Sequence, residues 1–144
     1  FNASQLYLKH PEMFTRVALA CPAITTVGPF STNEEIQDYI SRTRASYRYV
    51  YAAIGVTRYT FPDEASWRYA DPLTLASERV TSSYPPVFVS IGDSDQYGFF
   101  EGAKRFVELV NSKGAQAQYV EVKGGHCSFD GEALARFLIP TASL

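Results

Sequence analysis

Residues 85–95 read PPVFVSIGDSD. Two prolines lead into an apolar run, Val87–Ile91, which ends at Gly92 and a polar loop. A short apolar run fenced by turn residues is the pattern of a strand buried on both faces, and such strands belong to parallel sheets covered by helices. The residues that follow fit that setting. After the loop GDSDQYG (92–98), Phe100, Ala103, Phe106, Val107 and Val110 form one helical stripe, closed by Lys113-Gly114. AQYVEV (117–122) reads as a further strand, with GGHCSFD (124–130) as the loop after it. Ser128 or Asp130 is placed to cap a last helix, with Leu134, Phe137 and Leu138 on its core face and Pro140 beyond its end.

Toward the N-terminus, RVALACPAI (16–24) is a second run of the doubly buried kind. FNASQLYLKH (1–10) predicts a short helix stopped by Pro11. That helix begins abruptly, with no cap before Asn2, as if a strand and turn preceded it outside this chain. Between the strands lie residues 31–83. Ile36, Tyr39, Ile40, Thr43, Tyr47, Val50, Tyr51 and Ile54 follow the helical period, predicting one helix over 33–54. Ser31 with Glu34, and Thr32 with Glu35, both fit a capping box at its start, and Gly55 fits a stop at its end. Residues 56–83 show no long period and read as loops and short helical turns rich in aromatics. Tyr39, Tyr47 and Tyr51 are assigned to the core. The order of elements predicts an α/β fold, a parallel sheet with flanking helices, in which 31–83 is a cap-like insertion within one domain spanning 1–144.

Composition narrows the function. The 144 residues are 46% hydrophobic and 19% charged, a globular balance. A net charge of −2 argues against nucleic acid, which needs a basic face. No run approaches the ~20 apolar residues of a membrane span. Cys21 and Cys127 are too few for a disulfide scaffold and lack the spacing of a zinc site, so neither metal nor cofactor is expected.

In open parallel sheets ligands sit at the carboxyl ends of the strands. Two such loops carry titratable groups: Asp93 and Asp95 after one strand, His126 after the next. A carboxylate beside an imidazole fixes the ring's tautomer and frees its other nitrogen to act as a base. Gly124 and Gly125 give the backbone the tight turn that would carry the ring over the sheet edge. Either Asp93 or Asp95 could be that acid. His10, at a helix end, reads as a dipole partner. Trp67, in the insertion, and Tyr97, in the acid loop, are taken as substrate-binding candidates.

In this order and spacing the segments resemble the C-terminal half of an α/β-hydrolase, most like the putative esterases of the esterase-D and enterochelin-esterase group. NASQLYLKHPEMFTRVALACPAI resembles the helix and strand that follow the family's nucleophile; NEEIQDYISRTRASYRYVYAAIG stands where a cap is inserted. PPVFVSIGDSD carries the acid's Gly-x-x-Asp pattern on Gly92 and Asp95, and YVEVKGGHCSF the histidine loop on His126. The resemblance implies a serine esterase with Asp95 and His126 as acid and base, acting on a small-molecule ester. One feature departs from the family: no serine here stands between glycines at −2 and +2, so Gly-x-Ser-x-Gly is missing. The nucleophile and oxyanion hole are therefore expected upstream, and this chain alone is expected to be inactive. Ser94, in GDS, resembles the GDSL esterase block, but Lys123 stands where that family's Asp-x-x-His needs an acid. The strand at 17–20 would lack the neighbour that carries the nucleophile, so its edge is expected to recruit the protein's own N-terminal half or a second copy. The alternative reading is a non-catalytic hydrolase-fold binding module.

Overall fold

The structure, a computed structural model, describes residues 1–139. β2 (Val87–Gly92) is buried along its whole length and is the middle of a three-stranded parallel sheet, between β1 (Val17–Ala20) and β3 (Ala117–Val122). The period of two divides its side chains between two layers. Val87, Val89 and Ile91 join a core with Tyr7 and Leu8 of α1 (Asn2–Lys9), Leu75 and Ala76 of α5 (Pro72–Arg79), and Phe106 and Val110 of α6 (Phe99–Ser112). Phe88 packs on Phe137 of α7 (Gly131–Leu138), with ring centroids 5.5 Å apart. Burying each of these large apolar side chains is worth about 1.5–3 kcal/mol over leaving it in water. The one polar side chain of the strand is satisfied: Ser90 Oγ accepts from the Asp130 N–H at 2.9 Å, tying the start of α7 to the sheet.

The fold is thus α/β, a parallel sheet with helices on both faces. No helix among the described residues is long and apolar enough to cross a membrane.

The residues between β1 and β2 depart from the single predicted helix. They form α2 (Asn33–Thr43) and α3 (Tyr47–Thr60), followed by the short α4 (Glu64–Arg68) and by α5. α2 starts in the box of Thr32 and Glu35, not that of Ser31 and Glu34. It stops at Arg44, whose backbone is left-handed at φ 56°. There the chain turns to dock on the loop after β2: Ser46 N–H donates to Gln96 O at 2.8 Å. The stripe survives the break because both helices turn it into one small core of Val27, Ile36, Tyr39, Ala45, Val50 and Ile54. Gly55 is no stop. α3 runs past it to Thr60 and ends where Phe61, preceding Pro62, is pushed into extended backbone. Tyr39 is buried and Tyr51 packs on the core's margin, but Tyr47 is 59% exposed and only covers Tyr51.

Two other expectations need correction. The run at 16–24 yields a strand of four residues at the sheet's edge, half-buried rather than covered on both faces, and cut off by Cys21 at φ 38°. In α7 Asp130, one of the two cap candidates, caps the helix as expected, but Leu138 is exposed instead of facing the core. Pro140 lies outside the described residues.

Candidate active site

The loops after β2 and β3 leave the sheet side by side. Asp93 N–H donates to Val122 O and Ser94 N–H to Gly124 O, both at 2.9 Å, so the two turns are stitched together by their backbones. The approach is close enough that a Cβ on Gly92 would overlap the carbonyl oxygens of Gly124 and Gly125. Across the gap Gly124, at φ 149°, holds a backbone that other residues rarely adopt, and both glycines there sit close to side chains. A Cβ on Gly124 would strike Ser128 Oγ, and one on Gly125 would lie 2.7 Å from Gln96 Nε2.

Asp95 and His126 meet in this junction. Asp95 Oδ2 accepts from His126 Nδ1 at 2.7 Å; the carboxylate side chain is wholly buried and the imidazole 40% exposed. A carboxylate only accepts, so the proton sits on Nδ1 and Nε2 carries the lone pair of the neutral ring. The second oxygen, Oδ1, accepts from Tyr97 N–H at 2.8 Å and from Phe99 N–H, in the first turn of α6, at 3.5 Å. The groups hydrogen-bonded to the acid thus fix its direction. The ring is held on its other sides by Tyr97, centroid to centroid 4.9 Å, and Phe99 at 6.1 Å, which are themselves stacked. Among the described residues nothing is hydrogen-bonded to Nε2.

Asp93 does different work. It is exposed, and the Gly124 N–H and Ser94 hydroxyl hold its carboxyl below the usual range, with Lys123 adding. It fastens the histidine turn without touching the ring, and Ser94 is occupied by it. Cys21 and Cys127 are free thiols, at the ends of β1 and of the histidine turn. Burial first, then Cys127 and the Asp95 carboxylate, push the Cys21 thiol up to about 12. His10 contacts only Glu12, far along the chain from these loops. Among the described residues no three His, Cys, Asp or Glu side chains converge as metal ligands.

Gln96 has a role no motif announces. Its Oε1 accepts from His126 N–H at 3.1 Å while its own carbonyl accepts from Ser46 N–H, so one residue joins the histidine turn to the break between α2 and α3. Tyr39 reinforces the link by donating its hydroxyl to Tyr97 O at 2.9 Å. The only advance signal was position, in the loop that holds the acid.

Beside the pair lies a cavity of about 870 Å³, walled by Phe1, Val27, Ile54, Trp67, Tyr97 and Phe99 among others. Trp67 and Tyr97 thus both line it, and Tyr97 reaches both the cavity and the imidazole. Trp67 stacks on Phe1 at 6.1 Å and meets Phe61 edge-on at 5.2 Å. Comparison with family models, with curated proteins and with solved structures finds no match to this chain.

Proposed function

We propose that this chain carries the acid–base half of a serine ester hydrolase and forms the C-terminal part of an α/β-hydrolase domain, with 31–83 as its cap. The observation that carries the reading is the buried Asp95 carboxylate bonded to Nδ1 of a half-exposed His126, on loops at the carboxyl ends of adjacent parallel strands. The nucleophile is a serine upstream of Phe1, since no serine here has the elbow's flanking glycines. Phe1, at the head of α1, lines the same cavity as Tyr97, which packs on the imidazole, so a turn leading into α1 would open onto that cavity.

In this mechanism the upstream serine Oγ attacks the acyl carbon and His126 Nε2 takes its proton. The tetrahedral adduct collapses, the bond to the leaving alkoxide breaks, and His126 returns the proton to it. Water then attacks the acyl-serine with His126 again as base, releasing a carboxylic acid and restoring the serine. Asp95 holds the ring in the required tautomer and stabilises the imidazolium formed in each half. Three donors and a buried site keep that carboxylate in place for both steps. The free edge of β1 takes either the protein's own N-terminal half or a second copy.

In the full-length protein, His126→Ala lowers kcat for a p-nitrophenyl ester by about a thousandfold or more, and Asp95→Asn by about 10³–10⁴. A fluorophosphonate probe labels the wild type on a serine upstream of Phe1. Hydrolysis at wild-type rates by the His126 variant, or no labelling, defeats the proposal; the latter favours a binding module.

A further inference from the structure

We propose that the cavity beside His126 binds a large apolar group, so that the ester it serves carries such a group on its acyl or its alcohol side. The inference rests on the hydrolase reading and deepens it. Its first support is size. At about 870 Å³ the cavity lies near the upper end of the roughly 300–1,000 Å³ that enclose a drug-sized ligand. An acetyl or ethyl group would leave most of it empty.

The second support is the chemistry of the wall. Val27, Val50 and Ile54 contribute aliphatic surface from the small core under α2 and α3, and Phe61 and Trp67 aromatic surface. Polar side chains also reach the wall; the Asn2 amide and the Tyr69 and Tyr97 hydroxyls have no hydrogen-bond partner among the described residues, but several others are already engaged. Asp71 accepts from Leu73 N–H, Thr74 N–H and the Thr74 hydroxyl, capping α5. Gln5 donates to Ala70 O, Thr57 to Ile54 O, and Lys9 lies 3.9 Å over the Tyr69 ring. A sugar or a charged substrate would find few free partners here. An apolar group would only remove apolar surface from water, which is favourable in proportion to the area. The position of Trp67 is itself built in: a Cβ on Gly28 would come within 2.9 Å of the indole, so the loop before α2 is cut to fit it.

The test uses the full-length protein and two readouts. Calorimetric titration with 2-octanone, which cannot be hydrolysed, shows saturable binding. Ala53→Phe and Val56→Phe, on the wall and at its exposed rim, each weaken it at least tenfold. Hydrolysis followed by pH-stat gives hexyl acetate or ethyl hexanoate a kcat/KM at least tenfold above ethyl acetate, and Ala53→Phe collapses that ratio. Four added methylenes, each worth about fourfold when buried, set a ceiling of roughly 200-fold. Equal kcat/KM for the three esters with no saturable heat overturns the cavity and leaves the hydrolase standing. Saturable heat with no ester hydrolysed does the reverse. Binding that both ring-bearing variants leave unchanged places the ketone elsewhere and overturns the inference.

Discussion

At Gly92 the chain has no room for a side chain, and that constraint is what lets an aspartate three residues later reach a histidine in the turn after the next strand. The carbonyls of Gly124 and Gly125 occupy the space a Cβ would need. Gly92→Ala must therefore push the histidine turn off the strand end. Backbone is the obstacle, so neither side can yield by a rotamer change, and a cost of about 1–3 kcal/mol is expected. The expected result is a lowered melting temperature together with a loss of hydrolysis that exceeds the loss of folded protein. A variant with unchanged turnover would mean that the turns need not be this close. Asp95, His126 and Gly92 were legible in the sequence because each chemistry has a short local signature: a glycine and an acid after a strand, two glycines before a histidine. Gln96 was not, because a side-chain amide that bonds one backbone N–H leaves no pattern in neighbouring residues.

At the scale of elements, a stripe at the helical period reports which face is apolar, and not whether the backbone is continuous. The run from Ile36 to Ile54 keeps its period through a left-handed residue at Arg44 because both halves face one core. Composition near the break is ordinary, and the turn is imposed by docking onto the loop of Gln96. β2 and α6, by contrast, were readable almost to their ends, since burial on all sides leaves an unbroken apolar run in one and a full stripe in the other. α2 is tied to α6 by Arg42, which donates from Nε to Glu101 Oε2 at 2.8 Å and from Nη2 to Oε1 at 2.9 Å, and also pairs with Asp38. Burial raises the Glu101 carboxyl, but Arg42 and the Thr26 hydroxyl outweigh it and hold the group below its ordinary 4.5. A depressed folded value means stability that is present above the unfolded value and lost as pH falls through the folded one. Arg42→Ala is accordingly expected to cost up to about 1 kcal/mol at pH 7, the range of a partly exposed pair, and less at pH 3. Urea melts at the two pH values check this; an equal cost at both would assign the effect to packing.

At the scale of the whole molecule, both outer strands of the sheet, β1 and β3, are free edges among the described residues, and β3 turns the polar Gln118 and the charged Glu121 to solvent. β2 is buried throughout, whereas β1 has no second strand beside it among the described residues and exposes Ala20. Val17 and Cys21 donate their N–H groups to Pro86 O and Ser90 O, inward, so the alternation of the strand turns the N–H groups of Ala18 and Ala20 out toward the free edge. An edge with open donors and short apolar side chains is a template for another strand. The 144-residue chain by itself is therefore expected to self-associate in sedimentation velocity at micromolar concentration. Ala18→Pro removes one outward donor and none of the bonds to β2, so it should shift the distribution toward monomer while leaving the far-ultraviolet circular dichroism unchanged. On the proposed function, supplying in trans an upstream segment that bears the serine elbow should do the same by filling the edge, and should also give fluorophosphonate labelling. A chain that is monomeric without either change would remove the edge from consideration as an interface, while the Asp95–His126 pair, on the loops after β2 and β3, would keep its own test.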